Sequence, residues 1–154
     1  MILDPETDLS FSLTLNAPRA VIWQCWTQPQ HLKEFFVPKP HFIEFCDVDL
    51  RVGGRFNTVM NVEGNSMSNE GVILEVVPDK KLVFTDAYQE GWKPAADPFM
   101  TAIIELADTD GGTLYTVTAR HRSAEACKAH KDMGFFDGWG TVAAQLESYA
   151  QTLI

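Results

Sequence analysis

The last twenty residues impose the strongest constraint on what this chain can become. Phe135, Trp139, Val142, Leu146, Tyr149 and Leu153 recur at spacings of 4, 3, 4, 3 and 4, which sets them along one face of an α-helix. A stripe that continuous needs a broad apolar surface to lie on. The first half of the segment, GFFDGWG, sets a puzzle, because each glycine inside a helix costs about 0.8–1 kcal/mol relative to alanine. Two readings follow. In one, Gly134, Gly138 and Gly140 let the backbone approach a sheet or a ligand while Phe135 and Trp139 wall a cavity. In the other, the segment is a loop in which Asp137 caps a shorter helix.

The surface that such a helix needs is written upstream. LSFSLTL (9–15) alternates strictly, with Leu9, Phe11, Leu13 and Leu15 on one face and Ser10, Ser12 and Thr14 on the other. That is a half-buried antiparallel strand. Further strand-like runs are FIEFCDV, RFNTVMN, EGVILEVV, LVFTDAY, FMTAIIEL and TLYTVTARH. The segments DLRVGG, NVEGNSMSN, PDKK, QEGWKPAADP and ADTDGG divide them as turns, the pattern of an antiparallel meander. Between the first two strands, Pro18 opens a helix that carries Ile22, Trp23 and Trp26. Pro29 separates a second short helix, QHLKEFF, with Leu32, Phe35 and Phe36 on its apolar side. Ser123 is placed to cap SAEACKAHKDM, and Gly134 breaks the chain before the last helix.

With 154 residues and no repeat or linker, the chain is expected to form a single domain over 1–154. A net charge of -9 repels phosphate backbones, so no nucleic-acid partner is expected. No run is long and apolar enough for a membrane span. The start, MILDPETDLSF, lacks a basic n-region, and a cytoplasmic location follows as the default expectation. Cys25, Cys46 and Cys127 have no C-x-x-C spacing and read as small buried hydrophobes. His31, His41, His121 and His130 form no metal-ligand motif, so no metal or cofactor is expected. No G-x-S-x-G elbow or phosphate-binding glycine loop is present.

The D-x-R-x-G-G-x-F core (Asp49, Arg51, Gly53, Gly54, Phe56) followed by Gly138-Trp139-Gly140 carries a resemblance. Together with APRAVIWQCWTQPQHLKEFF, NEGVILEVVPDKKLVFT and HRSAEACKAHKDMGFFDGWGTVAAQLESYAQTL, it spans Phe11 to Leu153. The chain resembles proteins similar to the C-terminal domain of the activator of the ninety-kilodalton heat-shock-protein ATPase, within the START-like superfamily. The resemblance implies an α+β helix-grip fold. A curved antiparallel seven-stranded sheet wraps around a long C-terminal helix, with two short helices after the first strand and an apolar cavity beneath. The superfamily hosts carriers, cyclases, receptors and co-chaperones on one scaffold. The eukaryotic activator has a separate N-terminal domain, for which this chain has no length, so ATPase stimulation is not expected.

On the resemblance, the cavity is lined by Phe35, Phe36, Phe56, Met60, Phe84, Asp86, Tyr88, Trp92, Met100, Tyr115, Phe135, Trp139 and Val142. Asp86 shares strand parity with Leu82 and Phe84, and Glu75 with Ile73 and Val77. Either carboxylate, if turned inward, would have a raised pKa and suit proton handling; surface placement is the competing reading. The leading expectation is a small apolar or amphipathic ligand with no assigned reaction. A protein-interaction domain with a chaperone or homodimer partner is the first alternative. A cyclase- or hydrolase-like enzyme using a cavity carboxylate is the second.

Overall fold

A computed structural model describes residues 1–154. Strand β1 (Asp8–Leu15) leads into helices α1 (Arg19–Thr27) and α2 (Pro29–Leu32). Strands β2 (Phe42–Val48), β3 (Phe56–Val62), β4 (Asn65–Asn69), β5 (Val72–Val77) and β6 (Lys81–Thr85) follow. A two-residue ribbon, β7 (Tyr88–Gln89) and β8 (Lys93–Pro94), precedes β9 (Thr101–Thr109) and β10 (Gly112–Arg120). Helices α3 (Ala124–Asp132) and α4 (Phe135–Gln151) close the chain.

The main sheet has the order β1-β10-β9-β6-β5, and β2-β3-β4 forms a second limb. All pairings are antiparallel. The two sheets join where Arg55 bridges Val72 and the Ile73 amide donates to Gly54 O at 2.9 Å. Segments β4 and β5 therefore act as one bent strand shared by both sheets, and seven strands run side by side. NSMSN, expected within a turn, is a strand despite being exposed throughout. It lacks the alternation that marks a half-buried strand and is held by its ladder with β3.

Register explains the core. Leu9, Phe11, Leu13 and Leu15 stand opposite Ala119, Val117, Tyr115 and Thr113, so a single face of the sheet turns toward α4. The turn before β3 shows why its glycines are needed. Gly53 takes φ 81°, a conformation that L side chains rarely adopt. A Cβ on Gly54 would lie 1.9 Å from Asp49 O, so this glycine serves space rather than a positive φ. Arg51 pairs with Asp49 at 2.8 Å, while Arg55 reaches Asp47 at 2.6 Å and Glu90 at 2.7 Å.

Ser123 caps α3 as expected, its Oγ accepting from the Ala126 amide at 3.1 Å. Gly134, at φ 99°, turns the chain into α4, and GFFDGWG is helical from Phe135 onward. The close-approach reading of the glycines needs correction, since a Cβ on Gly138 or Gly140 would meet nothing within 4 Å. The seam also ends early: the helix stops at Gln151, and Leu153 is exposed. The second helix is shorter than QHLKEFF, ending at Leu32, with Phe35 and Phe36 carried on turns.

Candidate functional site

The N-terminal half of α4 lies over a cluster of aromatic rings. Trp26 of α1 is its centre and is fully buried. Its ring centroid lies 5.3 Å from both Phe35 and Phe36, 5.9 Å from Phe84 and 6.3 Å from Trp139. Phe56 stacks on Phe84 at 4.1 Å. Edge-to-face and offset contacts of this kind are the favoured arrangements of aromatic pairs. The rings thus rest on one another. Trp26 donates its Nε1–H to the Tyr115 hydroxyl at 3.2 Å, and burial holds that phenol well above its usual pKa.

Gln145 of α4 positions two of the rings. Its amide nitrogen donates to Phe35 O at 3.0 Å and Val37 O at 2.8 Å, and its oxygen accepts from the Lys39 amide at 2.9 Å. One side chain thereby ties the turn that carries Phe35 and Phe36 to the helix above. Phe135 and Val142 belong to the same core, and Met60 and Met100 pack against it while partly buried. Five aromatic residues of this core keep slight exposure: Trp23, Phe36 and Trp139 at 9%, Phe56 and Phe84 at 6%.

Three residues expected on the cavity wall lie elsewhere. Strand β6 ends at Thr85, so the parity linking Asp86 to Phe84 lapses. The Asp86 carboxylate instead accepts from the Phe99 amide at 2.8 Å and the Met100 amide at 3.0 Å. Tyr88 and Trp92 are exposed and pack on each other at 5.8 Å. The Trp92 ring covers Gly53, 3.0 Å from where a Cβ would stand. Glu75 pairs with Lys81 at 3.2 Å on the surface. Asp86 and Glu75 are thus both engaged away from the rings.

Beside the rings lies a buried polar pair that the sequence did not announce. His121 and His130 meet through Nε2 and Nδ1 at 2.8 Å, and His121 Nδ1 lies 2.8 Å from Thr7 O. A carbonyl only accepts, so His121 carries a proton on Nδ1, and in its neutral form it accepts on Nε2 from His130. The His130 Nε2 has no protein partner and stays open to solvent. Burial, then repulsion from His121, lowers the His130 pKa to about 4. Phe99 at 4.5 Å and Phe135 at 5.1 Å flank its ring. Burial also pushes the Cys25 thiol up to about 11, which leaves it a packing residue.

Two of the hollows at the surface border charged side chains. One of about 570 Å³ is bordered by Arg19, Lys80 and Lys81, but Glu105 and Asp108 line it too. The other, about 190 Å³, lies where the ends of β6, β9 and β10 meet the Pro98–Met100 segment. No three His, Cys, Asp or Glu side chains converge as a metal ion requires. No helix is long and apolar enough to cross a membrane.

An antiparallel sheet gripping a C-terminal helix over an aromatic core defines a helix-grip protein of the START-like class. The profile of the family described as "Activator of Hsp90 ATPase homolog 1-like protein" matches residues 16–151, and the chain belongs to that family. It is similar to a protein of Nitrosomonas europaea solved by X-ray crystallography, with 44% identity, a TM-score of 0.95 and 98% of each chain covered. A Mycobacterium smegmatis protein matches at 29% identity and a TM-score of 0.78, over 93% of this chain and 90% of that one. The AHSA1-like protein of Aeromonas hydrophila shares the fold at 16% identity and a TM-score of 0.72, over 95% and 93%. No curated protein matches the sequence.

Proposed function

We propose that this protein binds a small apolar or amphipathic molecule at the mouth of the aromatic cluster. The observation that supports the reading is the slight residual exposure of Phe36, Phe56, Phe84 and Trp139, residues of the core that pack against one another. Because the rings meet one another, a guest enters by displacing them rather than by filling a ready chamber. Met60 and Met100 at the flanks are unbranched and adaptable, which suits such a movement. Gly138 and Gly140 leave space along the helix for a ring to shift. No reaction is assigned, since Asp86 and Glu75 are held elsewhere by their partners.

Native mass spectrometry of the freshly purified protein, followed by titration of tryptophan emission with mixed lipids and aromatics, tests this reading. A guest at 100 times its Kd stabilises the fold by about 2.7 kcal/mol, readily seen as a rise in melting temperature. Unchanged emission together with an unchanged melting temperature sinks it. A second reading, a protein-docking module, draws on the apolar side chains that the β2–β4 limb exposes, among them Phe42, Phe45 and Met67. Failure to retain the chaperone's middle domain at low salt removes that reading.

A further inference from the structure

We infer that the hollow of about 190 Å³ at the ends of β6, β9 and β10 binds a small monocarboxylate with a short apolar or aromatic body. It lies apart from the mouth proposed above. The chain has 21 acidic residues against 12 lysines and arginines, yet no acidic residue lines this hollow and Arg120 and Arg122 both do. Each arginine has a carboxylate beside it, Asp97 at Arg122 and Asp8 at Arg120, so what the hollow offers is the unspent edge of each guanidinium.

The hydrogen-bond ledger points the same way. Arg122 donates through Nη1 to Asp97 and to Pro98 O, which leaves its Nε and Nη2 without protein partners. That edge of a guanidinium is the fork that matches a carboxylate in two parallel bonds. Arg120 spends Nη2 on Ile2 O at 3.1 Å, and its Nη1 lies 3.7 Å from buried Asp8, so its Nε is also free. Two carbonyls of the rim are already bonded: Pro98 O takes Arg122, and Met100 O takes the Thr85 hydroxyl at 3.3 Å. Both ring nitrogens of His121 are bonded as well. The unspent guanidinium edges select a ligand that presents an acceptor, and a carboxylate is the group that meets the Arg122 edge in two parallel bonds.

The rest of the wall selects the body of the ligand. Phe99 and Met100 supply an apolar surface, and the two backbone amides bonded to Asp86 hold them in place. Thr85 and Thr101, 2.9 Å apart through their hydroxyls, complete the polar side. The volume equals that of about six waters at roughly 30 Å³ each. It is well below the roughly 300 Å³ at which pockets for drug-sized ligands begin. A long acyl chain does not fit; a short apolar tail on Phe99 does.

Phenylacetate, with phenylacetamide as its neutral counterpart, probes the site in a ¹⁵N-resolved NMR titration of the full chain at fixed ionic strength. Saturable shifts confined to residues 85–87, 98–101 and 120–122 are expected with the acid. Arg122→Gln, at a half-exposed position that leaves the fold intact, is expected to weaken the response by at least about tenfold, as loss of a charge-assisted pair implies. Thr101→Val is the second variant and is expected to weaken it less. Equal responses to acid and amide overturn the inference, as do shifts that do not saturate or a response unchanged in Arg122→Gln. Shifts centred on Trp26, Phe36 and Trp139 also overturn it while supporting the aromatic mouth, so the two ideas fail separately.

Discussion

The two halves of α4 share one apolar seam and meet different surroundings. Its C-terminal half buries Ala143, Leu146 and Ala150, all with no exposure. Small residues there let the backbones approach, and Leu146 fills what remains. The N-terminal half sets Trp139, still 9% exposed, against a group of rings that are themselves partly reachable. It also carries Gly138 and Gly140 beside open space. A regular seam therefore fixes that a helix packs, while residue size along it decides how tightly.

The largest effect that would break this contrast is at Leu146. Leu146→Ala is expected to cost about 3–5 kcal/mol in urea unfolding, because neighbouring alanines cannot collapse into the gap. A loss below about 1 kcal/mol, the scale of a surface change, means the C-terminal half is not the rigid one. The next effect depends on pH and sits beside the N-terminal half. His130 binds a proton in the unfolded chain near its ordinary pKa of 6.5 but only near 4 when folded. The unfolded state thus holds more protons between those values, and stability is full above pH 6.5 and falls as pH drops toward 4. The loss is expected to be about 2 kcal/mol, less than ~1.4 kcal/mol per unit would give, because Nε2 keeps some contact with water. Comparing His130→Phe with the natural protein at pH 7 and pH 4.5 isolates it; an identical gap at both pH values refutes the assignment. The smallest effect sharpens the contrast from the other side. Gly138→Ala and Gly140→Ala are each expected to stabilise by about 0.8–1 kcal/mol. A destabilising result would show that the glycines are needed for packing after all.

Much of this architecture was readable from alternation and period. LSFSLTL, the meander and the terminal seam each carry their own signal, as does the Ser123 cap. What escaped notice has specific causes. NSMSN is exposed on both faces, so no hydrophobic pattern marks it, and only pairing with β3 makes it a strand. The two-residue period that links Asp86 to Leu82 and Phe84 runs past Thr85, where the strand has already ended. Trp92 adopts φ 62° and lies on Gly53, a long-range contact that no local rule contains. His121 and His130 are nine positions apart and meet only because the chain reverses between β10 and α3. Trp26 was visible as a helical apolar residue, but its central position depends on Phe35, Phe84 and Trp139 arriving from three other parts of the chain.

The seam between the two sheets has a mechanical consequence. Backbone bonds from Gly53 to Ile73 O at 2.7 Å, Ile73 to Gly54 O and Phe56 to Gly71 O at 3.0 Å stitch the limb to the main body. The Arg55–Glu90 clasp and the Trp92 cover on Gly53 are its outer fasteners. Three bonds at about 1 kcal/mol each hold the limb together with the burial of Ile43 and Phe56 in the common core. Opening of the limb is expected to run like a door hinged on the shared strand, releasing that burial while the frame stays folded. In hydrogen exchange its stitching amides should open together and ahead of those in β9 and β10; simultaneous release of both sets would mean that the door and the frame are one piece.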